Sequence, residues 1–390
     1  MKIDVLANTG FSDLGVSGGD RIFIELSKIW SENNEVKIST WPQPYKVCIN
    51  HGLKKVKYDT VNINDDKLFL PLLYMERTLI AILKAFKVSS RDIPDLLFSS
   101  SDFWPDAIPA LILKLRFKRI KWIAAFYFFA PTFFYSHKDI AYRGGRFKLS
   151  FRSVCYYLTQ RISYLLIRKY ADFILACNQL DKDIFVKDGV SEDKILAIYG
   201  GVDFKYISGF PGKEIIYDAC FVGRLHRQKG PLELLEIWQR VIKNKPDAKL
   251  AIIGNGPLEN TVKKMINKMN LSRNIDLLGY MDGEKKYNIF KSSRIFVHPP
   301  ILDTGGMAAA EGMAAGLPVV GFDLPGYKYC YPKGMLKAPI GDLEGFAKLI
   351  LDLLNDDILY NKMKEEALNF SKVWDWQEKA ALVWEKIKGL

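Results

Sequence analysis

Residues 295–322 read IFVHPPILDTGGMAAAEGMAAGLPVVGF, and the stretch parses as strand, loop, helix and strand. Ile295–His298 and Pro318–Phe322 are short β-branched and aliphatic runs, and between them lie a glycine-bearing loop and a helical run of small residues. Working outward, the same alternation recurs along most of the chain. In the first half the strand candidates are Lys2–Ala7, Val36–Thr40, Leu96–Ser99, Lys121–Phe126, Phe173–Cys177 and Ile195–Tyr199. In the second half Asp218–Val222, Lys249–Ile253 and Ile275–Leu278 join the two runs already quoted. Helical patterns such as Asp20–Trp30, Leu232–Val241, Leu258–Met269 and Glu284–Lys291 separate them. Alternation of this kind predicts parallel sheets with helices on both faces.

About eleven strands suit two ordinary sheets better than one very large one, and 390 residues suit two domains of roughly 150–200 residues. The natural break is Asp203–Glu214, which carries Gly209, Pro211 and Gly212 and lacks periodicity. From about Asp342 the chain continues as two or three helices that no strand follows. In doubly wound domains ligands sit beyond the carboxyl ends of the strands, so a cleft between two such domains is the expected site.

The composition, 49% hydrophobic and 26% charged, is that of a globular protein. The five cysteines, Cys48, Cys155, Cys177, Cys220 and Cys330, are odd in number and never form C-x-x-C, which argues against a disulfide framework or structural zinc and for a reducing compartment. The N-terminus runs straight into a strand pattern and reads as lacking a signal peptide. The two most apolar stretches are interrupted, Leu68–Leu83 by Glu76 and Arg77 and Ile120–Tyr135 by Lys121 and Pro131. Neither offers the ~20 uninterrupted apolar residues of a spanning helix. The expectation is a soluble or peripheral protein.

Three segments carry candidate chemistry. In Phe221-Val-Gly-Arg-Leu-His-Arg-Gln-Lys-Gly-Pro231 a strand delivers Gly223 and Arg224, and then Lys229 and Gly230 just before a helix. Two cations at a strand end beside a helix N-terminus suit a diphosphate, although a solvated basic turn reads the same way. In the stretch quoted first, Gly305 and Gly306 leave backbone amides open at the helix entrance, and Asp303 stands just before them, where it also suits an N-cap. Glu311 lies among alanines, where a carboxylate needs a partner or a cleft unless it is simply exposed. Ile252-Ile-Gly-Asn-Gly-Pro257 is a further strand-to-helix turn. Asp181 and Asp183 read as first-turn helix acids, not a chelating pair, because residues two apart on a helix point to different sides.

Taken in order, these residues resemble the retaining glycosyltransferases of family 4, also called glycosyl transferases group 1, which have the GT-B fold. The family's G-R-x4-K-G corresponds to Gly223, Arg224, Lys229 and Gly230, and its Gly-x-Gly-Pro turn to Gly254, Gly256 and Pro257. Its Glu-x7-Glu signature and following strand correspond to Asp303, Glu311 and Gly316-Leu-Pro-Val-Val320. Its first-domain glycine pair corresponds to Gly18 and Gly19, its domain-end strand and linker to Ala171–Ala176 and Gly201-Val-Asp203, and its closing helix to the region of Trp374-Asp-Trp376. The resemblance implies two doubly wound Rossmann-like domains facing each other across a cleft. It divides the chain into 1–205, with 372–390 packing back on it, and 206–371.

The resemblance also implies roles. Arg224 and Lys229 neutralise the leaving nucleotide diphosphate, Glu311 accepts hydrogen bonds from the ribose, and Asp303 with the amides of Gly305 to Met307 holds the donor sugar. Gly18, Gly19, Gly223, Gly254, Gly256, Thr304, Gly305, Gly306 and Met307 then belong to the donor site. Nucleotide-sugar is a substrate, and no cofactor or metal is required. There are two departures: Asp303 replaces the family's first Glu, about 1.5 Å shorter in reach, and no His stands in Ala124–Pro131, where family members often carry one.

The net charge of +12 is concentrated. Lys114–Lys169 holds thirteen Lys and Arg against one acid, Asp139. Within it Phe147, Phe151, Val154, Leu158, Ile162 and Leu165 form one helical stripe accompanied by cations. This helix either packs its stripe on its own sheet with a solvated basic face or docks on anionic lipid. Nucleic acid is the remaining option, and no binding motif accompanies it. On the lipid reading Arg143, Arg146, Lys148 and Arg152 form a membrane or acceptor surface. The enzyme then works at the cytoplasmic face of the cell membrane on a lipid-linked saccharide or glycolipid. The rivals are a transferase for a soluble acceptor and a non-catalytic sugar-nucleotide-binding scaffold.

Overall fold

The computed structural model describes residues 1–9, 17–61, 70–130 and 151–390, with the backbone alone at residues 70 and 151–153. The chain forms two units, Met1–Gly200 with Trp376–Leu390, and Gly201–Asp375. Each is a parallel α/β layer structure of the Rossmann-like kind.

The first unit holds strands β1 (Lys2–Ala7), β2 (Glu35–Thr40), β3 (Lys57–Thr60), β4 (Leu96–Ser99), β5 (Lys121–Phe126), β6 (Phe173–Ala176) and β7 (Ile195–Ala197). They pair in the order β3-β2-β1-β4-β5-β6-β7, every neighbour parallel. The central strands are covered on both sides, which is why β4 and β6 read as unbroken apolar runs. One face is covered by the helices Leu70–Lys87, Trp104–Arg116, Phe151–Tyr170 and Gln179–Lys187, whose Ala85, Leu113, Ile167 and Phe185 share a core with Trp122 and Phe126. Helix Gly18–Trp30 packs with the returning C-terminal helix Trp376–Ile387, with the rings of Trp30 and Trp384 6.1 Å apart.

The second unit holds β8 (Tyr217–Val222), β9 (Leu250–Ile253), β10 (Ile275–Gly279), β11 (Ser293–His298), β12 (Val319–Phe322) and β13 (Met335–Ala338), in the order β10-β9-β8-β11-β12-β13. Helix Pro231–Asn244 buries Leu234, Leu235, Ile237, Trp238 and Val241 completely, about 1.5–3 kcal/mol for each large side chain. Val202 and Asp375 bridge in parallel, so the two chain segments at the unit's limits run side by side.

All eleven expected strands are present, shifted by at most two residues at an end. The two that the sequence pattern missed, β3 and β13, are both sheet edges. An edge strand has one paired neighbour and partly wet faces, so Lys-Tyr-Asp-Thr of β3 lacks the apolar run that announces a strand.

A second difference concerns helix Phe151–Tyr170. Of its apolar stripe, Leu158, Ile162 and Leu165 are exposed and Val154 is half-buried, against the first of the two readings offered, while Gln160, Ser163, Tyr164 and Ile167 are buried; Phe147 and the side chain of Phe151 lie outside the described residues. Ser163 Oγ is buried with no hydrogen-bond partner among the described residues, whereas Gln160 goes inward because it has partners there. Its Oε1 accepts from the Ala130 amide at 2.6 Å, and its Nε2 donates to Asp102 Oδ2 at 2.9 Å and to the Phe128 carbonyl at 2.6 Å. Tyr164 packs against Phe185 with ring centroids 4.8 Å apart.

Candidate active site

In the second unit the sheet order reverses between β8 and β11, which makes the loops after these two strands neighbours at the carboxyl edge. The loop after β8 carries Gly223 and Arg224, the 3-10 turn Arg227–Lys229 and then Gly230. It is joined to the other loop by the Ile301 amide donating to the Gln228 carbonyl at 2.9 Å. Gly230 sits at φ +66, and a Cβ there would come 2.0 Å from the Pro299 carbonyl oxygen, so only glycine permits this approach.

That approach brings Lys229 to Asp303. Nζ lies 2.7 Å from Oδ2, the lysine side chain one-third exposed (34%) and the aspartate nearly enclosed (9%). Asp303 Oδ1 accepts from the Thr304 amide at 2.8 Å, and Oδ2 is 3.6 Å from His298 Nε2. His298 Nε2 is 2.8 Å from the Tyr327 hydroxyl, and its Nδ1 is buried without a hydrogen-bond partner among the described residues. Burial favours the protonated form of Asp303, but Lys229 and then His298 outweigh it and hold the carboxyl below its usual value. Burial pushes the His298 imidazole down to about 4, against the pull of Asp303, so the ring is neutral at pH 7.

Asp303 is therefore not an N-cap. The helix Met307–Ala314 is preceded by Gly306 in the left-handed region at φ +66, where a Cβ would meet the Tyr327 hydroxyl at 2.8 Å. Tyr331 donates to the carbonyls of Gly305 and Gly306 at 3.0 and 2.7 Å and is itself stacked on Trp374. The loop is thus pinned from behind. The first amides of a helix have no intrahelical partner, so the entrance presents donors for an anion or a hydroxyl.

One turn along the same helix, Glu311 accepts from Lys286 Nζ at 2.9 Å (Oε1) and 3.0 Å (Oε2). Burial alone would lower the Lys286 pKa, but Glu311 and Asp282, the latter 2.9 Å away, more than reverse it and keep the ammonium charged. This is the partner that a carboxylate among alanines required.

Other expected residues fall around this centre. Gly254 and Gly256 follow β9, and the Asn255 carbonyl between them accepts from the Leu225 amide at 2.8 Å, which ties this turn to the basic loop. Arg224 is exposed and makes no ion pair among the described residues. His298, Tyr327, Tyr331 and Lys286 escaped sequence reasoning. Only His298 had a usable signal, its position at the carboxyl end of a buried strand.

In the first unit Gly18 and Gly19 open helix Gly18–Trp30, capped by Ser17 with Asp20. A Cβ on Gly19 would lie 2.9 Å from the ring of Tyr127, which stands just past β5 where the family's His was sought, its hydroxyl oxygen buried without a partner among the described residues. Asp106 clamps the reversal point of this sheet: Oδ1 accepts from the Asn8 amide at 2.7 Å, and Oδ2 from Ser101 at 2.6 Å and Thr9 at 3.0 Å. Burial pushes Asp106 up to about 7 and Asp102 up to about 6. Asp181 is buried against the capping residue Asn178, while Asp183 bonds Gln179 on the surface. Among the described residues no group of three or more His, Cys, Asp or Glu is placed to hold a metal ion. Arg143, Arg146 and Lys148 lie outside the described residues, as does the side chain of Arg152.

Residues 206–370 match the family model of the glycosyl transferases group 1. An uncharacterised glycosyltransferase of Methanocaldococcus jannaschii is 32% identical over 173 residues, 42% of each chain. The UDP-Gal:alpha-D-GlcNAc-diphosphoundecaprenol alpha-1,3-galactosyltransferase of Escherichia coli is 27% identical over 239 residues, 54% of this chain and 60% of that one. The chain spans about half the length of the curated relatives it matches. Over the full length of both chains the fold matches Anabaena HepE in complex with UDP-glucose, at a TM-score of 0.72 and 14% identity. The architecture is accordingly that of the GT-B glycosyltransferases, two parallel-sheet Rossmann-like domains.

Proposed function

We propose that this chain is a retaining glycosyltransferase of family 4 that takes a UDP- or GDP-sugar and transfers the sugar to a lipid-linked saccharide or glycolipid. The observation that carries the reading is the meeting of Lys229, Asp303 and the open helix entrance at Gly305–Met307 at the reversal point of the second sheet. Charge develops on the departing diphosphate, and fixed cations beside it lower the barrier directly. Arg224 and Lys229 supply those cations, and Glu311, oriented by Lys286, accepts from the ribose hydroxyls. Asp303 already carries Lys229 and the Thr304 amide, so it acts mainly by aiming Lys229, while the amides of Gly305 to Met307 face the donor sugar.

In the transfer the bond from the anomeric carbon to the phosphate oxygen breaks as the acceptor oxygen bonds the same face. The acceptor's proton passes to the leaving phosphate oxygen. No metal enters this scheme. The lipid-linked acceptor is favoured by the acceptor named for the Escherichia coli relative and by the basic stretch 114–169. Among the described residues no helix is long and apolar enough to cross a membrane, and we place the enzyme peripherally on the cytoplasmic face.

A thermal-shift screen against UDP- and GDP-sugars tests the donor reading. Donor at ~100 times its Kd stabilises by about 2.7 kcal/mol, a rise of several degrees. A panel in which no nucleotide sugar moves the melting temperature refutes it.

A further inference from the structure

Helix Leu70–Lys87 buries Leu73, Arg77, Ala81 and Ala85, four apart along its inner face. Its outer face is apolar as well. Leu72, Met75, Leu79, Leu83 and Phe86 follow at steps of three and four, on an arc of roughly 80° at 100° per residue, and are 44–59% exposed. A continuous apolar stripe of this length facing water calls for a cover.

The neighbouring helices extend it. Helix Trp104–Arg116 packs between Leu70–Lys87 and Phe151–Tyr170 on the same side of the sheet. It ends in exposed Leu115, and Phe151–Tyr170 exposes Leu158, Ile162 and Leu165. The three helices each follow a strand of one parallel sheet, so they run the same way and end at the same edge. At that edge Lys87, Arg116, Lys118, Arg119 and Lys169 are exposed. The only acids on the three helices are Glu76, which is partly buried, and Asp106, which is fully buried. Exposed Asp92 and Asp95 also lie in the loop after Leu70–Lys87, but cations outnumber acids at this edge, and an anionic bilayer offers hydrocarbon and opposite charge together.

We infer that the outer face of helices Leu70–Lys87 and Phe151–Tyr170 is a membrane-docking surface whose aliphatic side chains enter the headgroup boundary of an anionic bilayer while the cationic edge holds lipid phosphates. This rests on the proposed lipid-linked acceptor and adds where and how the enzyme sits. It differs from a purely electrostatic contact in keeping an apolar component that salt does not screen.

The test uses the full-length chain with vesicles of phosphatidylcholine, with and without phosphatidylglycerol, and no donor. Wild-type protein is expected to bind the anionic vesicles and to keep part of that binding at ~1 M salt, where the Debye length is about 3 Å. The triple variant Leu79→Gln, Leu83→Gln, Leu165→Gln should lose ~100-fold in partitioning at low salt and all measurable binding at high salt, with an unchanged melting temperature. The pair Lys87→Gln, Lys169→Gln should lose mainly the low-salt part. Triple-variant binding equal to wild type overturns the inference. So does a wild-type oligomer that the triple variant dissolves, which would mean a second copy covers the face. A sharp fall in the triple variant's melting temperature also overturns it, because the face would then be covered by its own chain. Sugar transfer to a soluble acceptor, assayed in parallel, fails only if the proposed enzymology is wrong, so the two failures are distinguishable.

Discussion

Lys229 has two duties in this reading, and they can be separated. Lys229→Ala removes the ammonium 2.7 Å from a carboxylate that is only 9% exposed. Stranding one partner of a fully buried pair costs about 3–5 kcal/mol. Here the lysine is one-third exposed and solvent weakens the pair, and Asp303 keeps the Thr304 amide, so ~2 kcal/mol is the better figure. For a unit of this size that is a melting-temperature drop of about 4–8 °C. Loss of the leaving-group cation should separately lower turnover by 10²–10³, or ~3 kcal/mol. The double variant Lys229→Ala, Asp303→Asn removes both charges and should regain most of the melting temperature without regaining turnover. Melting curves and initial rates of nucleotide release at saturating donor, with Asp303→Asn alone as control, read both quantities. If turnover recovers along with stability in the double variant, Lys229 serves only Asp303 and the leaving-group role is wrong.

Two further outcomes are expected. Glu311→Gln should weaken donor binding by ~1.5–3 kcal/mol in calorimetry, because a charged acceptor is lost; unchanged affinity with a lower melting temperature would make Glu311 merely the holder of Lys286. Asp106 should give the first unit an acid-favoured component. Burial raises its pKa to about 7 from an unfolded value near 3.9, so the folded state binds the extra proton between those limits. Its contribution is full below pH ~4 and falls as pH rises to 7, at up to ~1.4 kcal/mol per pH unit. Asp106→Asn has no proton to lose, so wild type should gain on the variant in urea midpoint between about pH 8 and pH 5, and an equal difference at both refutes this.

The sequence announced what is buried and repetitive. Strands such as Leu250–Ile253 are enclosed on both faces and had to be apolar, and glycines such as Gly230 stand where another chain passes too close for a Cβ. What it withheld depends on partners far along the chain. Lys286 lies in Glu-Lys-Lys-Tyr, where nothing distinguishes it from Lys285 until Glu311 arrives from another helix. The Phe151–Tyr170 helix shows the converse failure: its apolar periodicity was legible, but which face turned inward was decided by Gln160, whose partners come from β4 and β5 loops.

Asp303 combines both lessons. Its place in the spacing to Glu311 was readable, but its orientation was not, because that is fixed by Lys229, 74 residues earlier, and by His298. A glutamate there would carry its carboxylate about 1.5 Å further, away from the strand end and toward the helix entrance. The shorter acid stays with Lys229, and on the proposed reading the contact with the donor sugar passes to the backbone amides of a loop held by Tyr331. Amides bind a hydroxyl of either orientation less selectively than a charged side chain does. Asp303→Glu is therefore expected to sharpen discrimination among donor sugars while loosening Lys229, seen as a wider spread of kcat/KM across hexoses together with a lower kcat. A variant with an unchanged sugar spread would mean that the acid at 303 does not bear on the donor sugar at all.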